Sequence, residues 1–106
     1  MKSTVKFFSK ELENAFNNLD DKDPIKKALT RAIKNIQEDF RSGEYIPKNK
    51  IPKIYIQKYG IDNLRIYDLP FAWRLSYSLV NDEIEIISVI LDWMNHKDYD
   101  RLFKGL

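Results

Sequence analysis

A chain of 106 residues has room for one modest hydrophobic core and not for two, and with 43% apolar and 32% charged residues it is globular rather than disordered. The absence of cysteine excludes disulfides, thiolate metal sites and a cysteine nucleophile, and one histidine leaves so few ways to build a transition-metal site that neither metal nor cofactor is expected. A formal net charge of +2 is weaker than the basic balance of dedicated DNA-binding modules, so nucleic acid is permitted as a partner but not demanded. No apolar run approaches the roughly 20 residues of a membrane span, and the N-terminus lacks an apolar signal region. A soluble, cytoplasmic protein is the expectation.

The first segment, Val5 to Phe8, is β-branched and aromatic and reads as an edge strand. Ser9 then caps a helix running to about Asn18, with Glu11 and Glu13 in its first turn and Leu12, Ala15, Phe16 and Leu19 on one face. Asp23-Pro24 starts a second helix, a carboxylate cap followed by proline at the first helical position. Ile25, Ala28, Leu29, Ala32, Ile33, Ile36 and Phe40 keep one of its faces apolar, and Gly43 is expected to end it in the left-handed conformation.

Residues 45–60 read as an irregular arm with room for one short helix, because Pro47 and Pro52 each remove a backbone donor. Lys48, Lys50, Lys53 and Lys58 make this arm basic, which fits a solvated loop as well as a phosphate-binding one. Leu64 to Leu69 alternates as a strand, with Leu64 and Ile66 on one face and Arg65 and Tyr67 on the other. Pro70 ends it. The next strand puts Trp73, Leu75, Tyr77 and Leu79 on one face and Arg74, Ser76 and Ser78 on the other. Asn81-Asp82 predicts a tight hairpin turn, and Ile84 to Leu91 is apolar on both faces, as a central strand would be. The tail from Asp92 forms a short turn or helix carrying His96, Lys97 and Tyr99. Residues 1–106 thus predict one α+β domain, with two N-terminal antiparallel helices packed on one face of a small, mainly antiparallel sheet.

This order of elements resembles the RelE/ParE toxin superfamily of type II toxin–antitoxin pairs across nearly the whole chain. The resemblance is carried by Leu64-Arg65-Ile66-Tyr67-Asp68-Leu69, by Trp73-Arg74-Leu75-Ser76-Tyr77, and by the tail His96-Lys97-Asp98-Tyr99 with Arg101 and Phe103. It implies a toxin silenced by an amphipathic segment of an antitoxin. It also implies one of two activities. The RelE branch cleaves messenger RNA on the ribosome without a metal, by attack of a ribose 2′-hydroxyl on the adjacent phosphate. The ParE branch poisons DNA gyrase, and a third possibility is an inactive relative that only pairs with an antitoxin.

Metal-free cleavage of this kind needs a base, fixed positive charge on the crowded phosphate, and an acid for the leaving oxygen. The resemblance implies Arg74, His96 and Tyr99 as catalytic residues and Arg65, Lys97 and Arg101 as substrate-binding ones. Arg74 has the delocalised fork that suits phosphate, but could equally pair with Glu85 across the hairpin. His96 is the one side chain with an ordinary pKa near neutrality, and could equally be a surface residue. Arg65 reaches the same face as Arg74 only if the strand register allows it. Asp92, Asp98 and Asp100 make the tail acidic; they would repel phosphate unless one of them orients His96. Trp73 reads as core, and Trp93 as core or groove lining.

Overall fold

The computed structural model of the chain describes residues 1–82 and 84–104. After β1 (Thr4–Phe7), the Ser9 hydroxyl accepts a hydrogen bond from the Leu12 N–H at 3.1 Å and starts α1 (Lys10–Asn17). The Asp23 carboxylate accepts from the Ile25 N–H at 2.9 Å and, with Pro24 behind it, starts α2 (Pro24–Glu38). This second helix stops short of the Gly43 end that its apolar stripe predicts. Asp39 is extended, its carboxylate accepts from the Arg41 N–H at 3.0 Å, and a 3-10 turn over Phe40–Ser42 replaces the last helical turn.

Gly43 is extended, with φ −87°, and not left-handed. It is needed for close approach instead. Its N–H donates to the Tyr77 hydroxyl at 2.8 Å, and an added Cβ would stand 2.7 Å from the Tyr77 ring. That hydroxyl in turn donates to the Phe40 carbonyl at 2.6 Å, so one buried phenol ties the end of the helical hairpin to the sheet.

The arm after Gly43 is more ordered than its prolines predict. It contains β2 (Glu44–Tyr45), a 3-10 turn (Lys48–Lys50) and α3 (Lys53–Tyr59). Pro47 and Pro52 each occupy the extended position just before a helical segment, where a missing N–H costs nothing. Gly60, at φ 65°, closes α3. Then come β3 (Arg65–Asp68), β4 (Arg74–Asn81), β5 (Ile86–Met94) and α4 (His96–Leu102). The β4–β5 connection is longer than the two-residue turn expected at Asn81-Asp82, since Asn81 pairs with Ile86 and the Asp82 N–H reaches the Glu85 carbonyl at 2.9 Å.

The five strands form one sheet in the order β1-β5-β4-β3-β2. It is mixed: β1 runs parallel to β5, and every other pairing is antiparallel. Leu29, Ala32 and Ile36 of α2 pack on Leu75, Tyr77 and Ile90, with Leu12 and Phe16 of α1 beside them. The opposite face is covered as well, by Tyr55 of α3 and by Phe103 just past α4, which pack on Leu64, Ile66, Leu91 and Met94. Helices therefore lie on both faces rather than one. A strand apolar on both sides, as β5 is, requires this.

One irregularity in β5 sets which side chains reach which layer. Ser76 pairs with Asp92 and Tyr77 with Ile90, leaving Leu91 as an extra residue on β5. Without that bulge, strict alternation from Ile90 would send Asp92 toward α2 and Trp93 toward α4. With it, Trp93 joins the α2 layer, while Leu91 and Met94 join the α3–α4 layer.

The two glycines should separate steric from conformational cost in urea unfolding. Gly43→Ala, which drives a methyl into Tyr77, is expected to cost about 1–3 kcal/mol. Gly60→Ala, with nothing within 4 Å of its new Cβ, should cost only the left-handed penalty of about 1–2 kcal/mol. Adding Tyr77→Phe should not recover the Gly43→Ala loss, because the ring atom nearest the new methyl remains and the buried hydroxyl that pairs the Gly43 N–H and the Phe40 carbonyl is gone.

Candidate functional site

Because Leu75 and Tyr77 point into the α2 layer, Arg74, Ser76 and Ser78 face the α3–α4 side. Arg74 pairs in register with Asp68 on β3 and with Met94 on β5. One residue beyond Met94, the Asn95 side chain accepts from the Asp98 N–H at 2.9 Å and starts α4. The C-terminal helix therefore begins beside Arg74 and runs over the same face.

Tyr99 of α4 stacks on Phe103, with ring centroids 4.6 Å apart, and the Arg74 guanidinium lies 5.0 Å from the centre of the Tyr99 ring. Arg74 Nε is 3.0 Å from the Asp68 carboxylate, and Nη1 donates to the Trp73 carbonyl at 3.2 Å. The cation thus pairs with Asp68 on the neighbouring strand and not with Glu85, whose carboxylate accepts from the Thr4 hydroxyl at 2.5 Å. The Arg74 side chain is only 24% exposed, but Asp68 is 77% exposed. Such an open pair contributes at most about 1 kcal/mol and can exchange for another anion. Burial raises the Tyr99 phenol above its ordinary pKa even though the Arg74 charge pulls the other way, so Tyr99 is a protonated donor at neutral pH.

His96 and Lys97 are both exposed in the first turn of α4, and His96 stands one turn before Tyr99 on the same side of the helix. Arg101 is exposed and pairs with Asp98 at 2.5 Å. Arg65 does not join this group. It pairs in register with Tyr77, so it faces the α2 side, where Nη1 donates to the Gly43 carbonyl at 2.7 Å and the guanidinium lies 5.8 Å from the Tyr45 ring. An odd offset from Asp68 along a two-residue period puts Arg65 and Arg74 on opposite faces.

Of the three tail acids, Asp92 is turned inward by the β5 bulge. It accepts from the Ser76 hydroxyl and from the Tyr55 hydroxyl at 2.8 Å, beneath α3. Burial raises the Asp92 carboxyl above its ordinary value, against the hydrogen bonds from Ser76 and Tyr55 and the charge of Lys58. Burial and then the Asp92 charge push the Tyr55 phenol far up, and the Tyr59 phenol to about 12. Neither tyrosine ionises at neutral pH. Sequence reasoning missed this inward cluster because the bulge that re-aims Asp92 has no signature in residue type.

Among the described residues, no three His, Cys, Asp or Glu side chains converge as metal ligands would, and no helix is long and apolar enough to cross a membrane. Compared with protein-family profiles, characterised proteins and solved structures, the chain matches none of them.

Asp92 makes a pH prediction. A carboxyl whose folded pKa is raised above its ordinary 3.8 opposes folding once it ionises. Its contribution is therefore fully present below the unfolded value and is lost as pH rises through the folded one. Urea midpoints measured from pH 3.5 to 7.5 should show wild type losing stability relative to Asp92→Asn as pH rises; a parallel pair of curves would remove the raised carboxyl.

Proposed function

We propose that this chain is the toxin of a type II toxin–antitoxin pair with a RelE-like fold, and that it cleaves messenger RNA on the ribosome without a metal. The observation that carries the reading is the Arg74 guanidinium, held over the Tyr99 ring and, among the described residues, tied to carboxylate only through the exposed Asp68. Phosphate oxygens arriving at the surface could take the place of the Asp68 carboxylate on that fork.

In the cleavage step the ribose 2′-oxygen bonds to phosphorus and the bond to the 5′-oxygen breaks, leaving a 2′,3′-cyclic phosphate and a 5′-hydroxyl. Arg74 stabilises the extra negative charge on the phosphate, a type of contact worth on the order of 10²–10³ in rate. His96, exposed where a substrate can reach it, takes the proton of the 2′-hydroxyl. Tyr99, a protonated phenol with one face against Arg74, supplies orientation for the guanidinium and a proton for the leaving oxygen. Lys97 and Arg101 add positive charge along the exposed side of α4. Arg65, on the opposite face, takes no part in this step. The proposal includes a cytoplasmic location and an antitoxin whose amphipathic segment covers the toxin.

One observation favours a second reading, a binding module that inhibits gyrase or only pairs with an antitoxin. The acid next to Arg74 repels phosphate until it is displaced. Inducible expression in a bacterial host, with mapping of messenger RNA ends and a parallel supercoiling assay, separates the two. Arg74→Ala and His96→Ala should each relieve growth arrest and abolish new RNA ends, with soluble, folded protein. Asp68→Asn, which frees the guanidinium, should leave cleavage intact or faster. Arrest with supercoiling inhibition and no RNA ends would establish the second reading.

A further inference from the structure

The turn joining β3 to β4 carries the most strained backbone among the described residues. Phe71 and Ala72 both have positive φ, 62° and 61°, a conformation that side-chain-bearing residues other than Asn and Asp seldom adopt. Phe71 is also 74% exposed, so its ring gains nothing from the core. The strain is held in place from both sides. Leu69 is buried and Trp73 packs in the same α2 layer, the Leu69 N–H donates to the Trp73 carbonyl at 2.9 Å, and Asp68 pairs with Arg74 one step further in. An exposed aromatic ring carried on strained backbone asks for a ligand.

What surrounds the tip says which ligand. Three residues along the chain is Arg74, whose guanidinium lies on the α3–α4 side. On the α2 side, a groove of about 430 Å³ between α2 and the turn is lined by Lys27, Arg31, Tyr67 and Pro70, with the acid Asp68, already paired with Arg74, at its edge. Lys27 and Arg31 are exposed, four residues apart on α2, so they present positive charge to the same groove. An exposed ring on the turn, with Arg74 on the α3–α4 side of the sheet and Lys27 and Arg31 on the α2 side, supplies the elements of single-stranded nucleic-acid binding, where aromatic faces take bases and basic side chains follow the backbone.

We propose that Phe71 is a stacking platform for one unpaired base of an RNA strand that crosses the β3–β4 turn, with its phosphates on Arg74 at one side and on Lys27 and Arg31 at the other. The inference rests on the RNA-directed reading above and extends it by assigning a substrate path and a residue that holds the substrate without taking part in bond breaking.

The test uses the intact protein and a short single-stranded oligonucleotide carrying 2-aminopurine and 2′-O-methyl riboses, which cannot be cleaved. Wild type should bind with quenched 2-aminopurine fluorescence, the signature of stacking. Phe71→Ala should bind about 5- to 150-fold more weakly, the range found when stacking aromatics are truncated, and lose the quenching. Phe71→Trp should restore both. Phe71→Gly, which relaxes the left-handed residue, should bind as weakly as Phe71→Ala while melting at least as high as it, so lost binding cannot be ascribed to lost fold. Replacing Lys27 and Arg31 together by Ala should flatten the salt dependence of affinity by roughly one to two units of slope. Unchanged affinity and quenching in Phe71→Ala, with Arg74→Ala weakened, would overturn the stacking role and leave the phosphate site standing. No binding of the oligonucleotide by wild type would overturn the path altogether; growth arrest relieved by Arg74→Ala would then still support the parent reading.

Discussion

The unpaired Leu91 in β5 shifts everything after it by one position relative to β4. The shift carries Trp93 into the α1–α2 layer, against Phe16, and Met94 and Asp92 into the α3–α4 layer, against Tyr55. It also brings Met94 opposite Arg74, so that α4 starts next to the guanidinium and lays Tyr99 against it. A regular strand of the same composition would send Asp92 into the α2 layer and separate Arg74 from the C-terminal helix. Bulges beside functional surfaces act in this way, by re-aiming side chains without changing the order of strands.

The sheet treats its two faces differently. The α2 face is closed by apolar packing and by a buried chain of hydrogen bonds from the Gly43 N–H through Tyr77 to the Phe40 carbonyl. The α3–α4 face contains the partly buried carboxyl of Asp92 and the partly buried cation of Arg74. These two charges lie on one face but have different partners. Asp92 is satisfied by two hydroxyl donors and has little left to offer a ligand. Arg74 is held by a ring face, a carbonyl and an exchangeable carboxylate, which leaves it open to an incoming anion.

The β3–β4 turn links these halves. Leu69 and Trp73 anchor it in the α2 layer, Asp68 and Arg74 anchor it on the other, and between them the chain passes through two left-handed residues. Strain of this size persists only where the flanks over-determine it. The exposed Phe71 ring therefore stands on a stiff turn that leads directly to Arg74 and, through Pro70, borders the groove along α2.

Local chemistry determined much of this protein by itself. Ser9 and Asp23 caps, a proline at the first helical position and apolar stripes at helical spacing were enough to define the starts of α1 and α2, because each of those signals acts within one turn of chain. Two-residue alternation likewise placed Trp73, Leu75 and Tyr77 on one face and Arg74 on the other. Tertiary structure alone decided the rest. It ended α2 early at Asp39, set Arg65 opposite Tyr77 and away from Arg74, gave Arg74 to Asp68 rather than Glu85, and covered the second face with α3 and α4. The Arg65 and Arg74 pairings depend on the register between β3 and β4, the end of α2 on the Asp39 turn winning over an apolar stripe that continues past it, and the cover of the second face on how whole layers pack; periodicity along one segment reports none of these.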